Sequence, residues 1–136
     1  MQYLSAVDIL AVHDRIIEET GGSLGVRDSH LLGSIVERPK ASFGGVEQFP
    51  DIFAKAAAYL ESIATYHVFI DGNKRTALTV TGVFLALNGY GMKLPVKESE
   101  TFMLAVAQRQ KNLEAIAVWL NKNSRKPRKK RSRKPA

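Results

Sequence analysis

Cysteine is absent from this 136-residue chain, which removes disulfides, thiolate nucleophiles and zinc–thiolate sites from its functional options. No apolar run approaches the roughly 20 residues that cross a bilayer. The opening residues, Met1-Gln2-Tyr3-Leu4-Ser5, lack the basic stretch, apolar stretch and small-residue cleavage site of a secretory leader. The chain is therefore expected in the cytoplasm, with no membrane contact. Acid is missing from the C-terminal end: residues 122–136 hold nine Lys or Arg and no Asp or Glu. The net charge of +7 thus belongs to this segment, and taking those nine away leaves the remainder at −2. With Pro127, Pro135 and no apolar residue except Ala136, the segment cannot bury enough surface to order itself. It reads as a disordered basic tail, 122–136, that keeps the chain soluble or makes non-specific contact with nucleic acid or an acidic partner.

What is present is helical periodicity. A hydrophobic fraction of 45% is ordinary for a globular chain, and the length suits one domain, residues 1–121. Ile9, Val12, Ile16 and Ile17 share one helical face over residues 5–20, with Ser5 as a candidate N-cap and Gly21-Gly22 as the stop. Asp28 or Ser29 caps a short helix to about Val36, which Pro39 ends. Residues 41–50 read as a loop. From Asp51, the positions Phe53, Ala56, Ala57, Leu60, Ile63 and Ala64 form a stripe whose next member is His67, placing that histidine toward the core. Residues 73–87 are apolar nearly all round, which predicts a buried central helix. A hairpin-like stretch, 90–95, then precedes helices at about 97–110 and 112–121, with Trp119 as a packing anchor. The fold class is all-α: a compact helical bundle with a basic tail.

Chemistry concentrates in His67-Val68-Phe69-Ile70-Asp71-Gly72-Asn73-Lys74-Arg75, between two helices. Singly, His67 reads as a structural imidazole, Asp71 as an N-cap, Asp-Gly-Asn as a turn and Lys74-Arg75 as a solvated face. Together they bring an imidazole, a carboxylate, an amide and two cations to one helix start, whose N–H groups and dipole favour an anion. Phe69 reads as a core anchor, and Arg27 and Asp28 as capping or structural groups outside the site.

This run is similar to the signature of the Fic/Doc superfamily, H-x-F-x-[D/E/N]-[G/A]-N-[G/K]-R, at every position. Leu24-Gly25-Val26-Arg27-Asp28, Arg38-Pro39, Phe43-Gly44-Gly45 and Leu87-Asn88-Gly89 extend the resemblance over residues 3–120, toward the death-on-curing (Doc) branch. Lys74 stands where adenylylating members usually carry Gly, and Leu78 where they usually carry a second Arg. The resemblance implies a Fic/Doc-type bundle and a growth-arresting toxin of a toxin–antitoxin pair. The implied activity is Mg²⁺-dependent transfer of the ATP γ-phosphate to a Ser/Thr hydroxyl of a translation protein such as elongation factor Tu, with a Phd-like antitoxin as partner. It implies His67 as general base and Asp71 as Mg²⁺ ligand, with Gly72, Asn73, Lys74 and Arg75 binding phosphate and Lys74 and Arg75 also assisting catalysis. The region Phe43-Gly44-Gly45, with Glu47 and Gln48, resembles the flap that positions a target segment. Transfer of AMP, and a non-catalytic domain binding a partner or nucleic acid, are the competing readings.

Overall fold

Helix α1 (Ala6–Thr20) starts at a capping box: the Ser5 hydroxyl accepts from the Asp8 N–H, while the Asp8 carboxylate takes the Ser5 N–H. In a computed structural model that describes residues 1–126, five further helices follow, three of them begun by a side-chain cap. Asp28 caps α2 (Ser29–Glu37), Asp51 caps α3 (Ile52–Thr65) and Asn112 caps α6 (Leu113–Lys122). Pro39 turns the end of α2 into a single 3₁₀ turn, Arg38–Lys40. Helix α4 runs Asn73–Leu87 and α5 Val96–Ala107. No helix among the described residues is long and apolar enough to cross a membrane.

The buried central helix is α3 rather than α4, which corrects the expectation from apolar content. Ten of the 14 residues of α3 are buried against six of 15 in α4, so α3 is surrounded while α4 keeps an outer face carrying Lys74, Arg75 and Thr79. The cause is size. Ala56, Ala57, Ala58 and Ala64 are almost wholly inaccessible, and their small side chains let α4, α5, α6 and α2 pack close on several sides. Tyr59 and Phe84 meet at 4.9 Å across the α3–α4 seam.

Three segments depart from the sequence expectation. Residues 41–50 form a hairpin, β1 (Ser42–Phe43) with β2 (Val46–Glu47), around Gly44 and Gly45, both at positive φ. Its base is pinned by Lys55, a buried ammonium of α3 that donates to Glu47 Oε1 at 3.1 Å and to the Pro39 carbonyl at 3.2 Å. The stretch 90–95 does not close on itself; β3 (Gly91–Met92) pairs instead with β4 (Ser124–Arg125). The basic tail therefore does not begin at residue 122, because Lys122 ends α6 and the next residues are held by a ladder no local pattern announces. The remainder of the predicted tail, 127–136, lies outside the described residues.

If α3 is the crowded axis, enlarging it should cost more than altering α4's outer face. Ala57→Leu is expected to lower unfolding free energy by about 1–3 kcal/mol, and Thr79→Ala to stay within about 0.5 kcal/mol; urea denaturation of both variants checks the contrast.

Candidate active site

The nine-residue run spans the turn from α3 to α4, and main-chain bonds fix its course. Helix α3 ends at Thr65, with Tyr66 as its C-cap. His67 then takes a left-handed conformation, φ 52°, at a cost of order 1–3 kcal/mol for a residue with a β-carbon. The helix stops two residues before the stripe would bring His67 inward, so the imidazole is exposed rather than core-facing. Arg27 secures this reversal: Nε donates to the His67 carbonyl at 2.5 Å and Nη2 to the Tyr66 carbonyl at 3.0 Å. Its guanidinium thus closes the carbonyl end of α3, as a capping role requires.

Beyond His67 the chain pairs briefly with residues 25–27. The Arg27 N–H donates to the Val68 carbonyl at 2.8 Å, and the Ile70 N–H to the Gly25 carbonyl at 3.1 Å. Phe69 is buried, as its role of anchor demands. Asn73 clamps it at the backbone, Oδ1 accepting from the Phe69 N–H at 3.0 Å and Nδ2 donating to the Phe69 carbonyl at 2.9 Å. That amide is engaged in shaping the loop, whereas the sequence reading assigned it to phosphate.

Beneath the loop lies a group the sequence reading passed over. His13 is fully buried and stacks on Phe69 at 3.8 Å and 9°. Its Nε2–H donates to the Asp71 carbonyl at 2.8 Å, and Nδ1 faces Asp14 Oδ1 at 3.1 Å. The available signal was spacing, because His13 sits four residues from both Ile9 and Ile17 on the apolar face of α1.

Asp71 presents its carboxylate at the mouth of α4. Oδ2 accepts from the Ser23 N–H at 3.2 Å and Oδ1 from the Gly72 N–H at 2.8 Å. These two amides, with the Arg75 charge, hold its pKa below the ordinary aspartate value, against a smaller opposing effect of burial. Gly22 permits the approach: a β-carbon there would stand 2.5 Å from Oδ2. Helix α4 itself starts at Gly72, φ 78°, with no side-chain cap, so its first N–H groups remain available to an anion. Lys74 and Arg75 are exposed beside them, with Arg75 Nη1 donating to Thr20 Oγ1. A cavity of about 380 Å³ adjoins, lined by both cations and by Leu78, Leu94, Val96 and Met103. The structure thus puts the Asp71 carboxylate, the Lys74 and Arg75 cations and an uncapped helix N-terminus at one end of α4, with His67 exposed on the loop that leads into it.

Two outcomes follow. A carboxyl whose folded pKa is depressed contributes stability that is present above its unfolded pKa and lost as pH falls through the folded value. Asp71→Asn should therefore flatten the decline in urea midpoint below about pH 4, and an unchanged acid slope would contradict it. Asn73→Ala, which strands both Phe69 backbone groups, should destabilise by about 1–3 kcal/mol in the same assay.

Comparison with known proteins follows the same line. The family model described as Fic/DOC family matches residues 3–85. The protein named Toxin Doc from Mycolicibacterium smegmatis is 40% identical over 121 residues, covering 88% of this chain and 91% of its own. The protein named Protein kinase doc from Escherichia phage P1 is 37% identical over 89 residues, or 65% of this chain and 70% of its own. By signature, helical architecture and these two relatives, the chain belongs to the Fic/DOC family, in its death-on-curing branch.

Proposed function

We propose that this protein is a Doc-type toxin that phosphorylates a Ser or Thr hydroxyl of a translation protein, with ATP as donor and Mg²⁺ as cofactor. The observation that carries the reading is the uncapped N-terminus of α4 with Asp71, Lys74 and Arg75 beside it, entered from a loop on which His67 is exposed. The relatives named as a toxin and as a protein kinase support both halves of it. The adjoining cavity suits the nucleoside end of a nucleotide whose phosphates lie at the helix start, being apolar along Leu78, Val96 and Met103, polar at Ser99 and Glu100, and cationic at Lys74 and Arg75.

The reaction asks little covalent work of the protein. The target hydroxyl oxygen bonds to the γ-phosphorus as the bond to the β,γ-bridging oxygen breaks, ADP departs, and His67 receives the hydroxyl proton. Backbone N–H groups of the first turn of α4, with Lys74 and Arg75, stabilise the charge spread over the transferred phosphoryl oxygens. Asn73 and Gly72 serve by geometry, one holding the loop and the other admitting close approach. Asp71 suits Mg²⁺: it stays ionised, each oxygen carries one backbone hydrogen bond and keeps lone-pair capacity, and Mg²⁺ commonly takes one or two carboxylates beside phosphate oxygens and water. When bound, the ion neutralises phosphate charge. We assign elongation factor Tu as target and a Phd-like antitoxin as neutralising partner on the strength of family membership, and the cytoplasm as the compartment where that target resides.

The test is label transfer to elongation factor Tu from γ- or α-labelled ATP, read also by intact mass. One added phosphate is expected, with His67→Ala reducing the rate about 100-fold or more while its circular dichroism stays native. Addition of AMP would reassign the chain to nucleotidyl transfer, and full activity in folded His67→Ala would remove the base.

A further inference from the structure

His13 takes no part in the phosphotransfer proposed above, yet this buried side chain of α1 meets the active-site loop from below. A buried histidine whose hydrogen bonds are satisfied commonly does no more than pack. The identity of its partner separates His13 from that case. Its Nε2–H donates to the Asp71 carbonyl at 2.8 Å, and a carbonyl shares one rigid plane with the N–H that follows it. That N–H belongs to Gly72 and donates to Asp71 Oδ1 at 2.8 Å. A single peptide plane is thus held by α1 at its carbonyl edge and holds the Asp71 carboxylate at its amide edge.

The setting makes that plane depend on His13. The ring lies 3.8 Å from Phe69 at 9°, and its Nδ1 faces Asp14 Oδ1 at 3.1 Å, so the direction of the Nε2–H is fixed. Gly72, φ 78°, adds no restraint of its own, because glycine has the least confined backbone. It also lets the plane rest on α1, since a β-carbon there would stand 3.0 Å from Ile17 Cδ1 and 3.7 Å from His13 Nε2. The other carboxylate oxygen, Oδ2, is held at 3.2 Å by the Ser23 N–H, which comes from an exposed stretch between Gly22 and Gly25. The restraint that reaches Asp71 from the buried core is therefore the one through His13.

We propose that His13 is a positioning residue for the cation site. By clamping the Asp71–Gly72 peptide plane it sets the direction in which the Asp71 carboxylate presents its unused lone pairs, and with it the affinity for Mg²⁺. The inference rests on the reading of Asp71 as the Mg²⁺ ligand. Groups that orient a metal ligand from behind typically contribute roughly 10- to 100-fold to affinity.

Two substitutions of nearly equal shape separate this role from packing. His13→Gln and His13→Met both remove the ring, and only the first keeps an N–H at the reach of Nε2. The probe is Mn²⁺ in place of Mg²⁺, added to the whole chain with a non-hydrolysable ATP analogue and read by water-proton relaxation, which responds to the bound ion and not to turnover. His13→Met is expected to weaken Mn²⁺ binding about tenfold or more, and His13→Gln to stay within about threefold of the unsubstituted protein. In label transfer, raised Mg²⁺ should restore the rate of His13→Met, with KM for the protein target unchanged. His13→Phe, which keeps the stack on Phe69 and lacks the donor, replaces His13→Met in the comparison if the latter loses its native circular dichroism. Equal Mn²⁺ affinity with and without the donor would mean that His13 only packs, and overturns the proposal. Asp71→Asn is the control and should remove the binding. Should it leave Mn²⁺ affinity unchanged, the reading of Asp71 falls and this inference with it. Should it remove the binding while the two His13 variants match, this inference falls alone.

Discussion

Asn73 holds the main chain of Phe69 by both ends of its amide, and the arrangement of the site hangs on that pair. Every other group in the run takes its place from the loop so closed. His67 leaves α3 in one direction, Asp71 returns toward α4 in the other, and Phe69 between them is driven onto the buried ring of His13. A carboxamide carries its donor and its acceptor on separate atoms of one plane, so it can give to the carbonyl and take from the N–H of the same residue. Asp has no donor and Leu has neither group. The first residue of α4 therefore does its work backward, into the loop, while Gly72 at the N-cap has no side chain and leaves the helix N-terminus uncapped. Geometry and anion affinity come from these two adjacent residues.

The support beneath is as specific as the loop above. Polar groups under an active-site loop are costly unless each is paired. Here His13 spans from α1 to the Asp71 carbonyl, and Arg27 closes the carbonyls that α3 leaves open. Both reach across from the first 30 residues of the chain, so the loop is held by elements remote in sequence and is less mobile than its length suggests.

Much of this was legible in the sequence, and the division follows range. Ser5, Asp28, Asp51 and Asn112 announce their helices because a cap acts over three residues. The signature announces the site because its groups are adjacent in the chain. Burial read from periodicity failed at His67, since periodicity presumes that the helix continues, and Arg27 with the Phe69–Asn73 clamp ends it first. The centre of the bundle was misread because alanines score as weakly apolar while permitting the closest packing. The β3–β4 ladder joins residues 32 and 34 positions apart, and His13 reaches a carbonyl 58 positions away; no local pattern encodes such pairs.

That ladder has an electrostatic corollary. It anchors Arg125 beside Gly91, just past the C-terminal end of α4, and 15 residues of helix separate that end from Asn73 by about 20 Å. At physiological ionic strength, fields between exposed charges fade over roughly 8 Å. The cations fixed at Arg125 and Lys126 consequently contribute little to the potential at Asp71, where Lys74 and Arg75 set the sign. Among the described residues, a change of salt should therefore act separately on the cations beside α4's start and on those past its end.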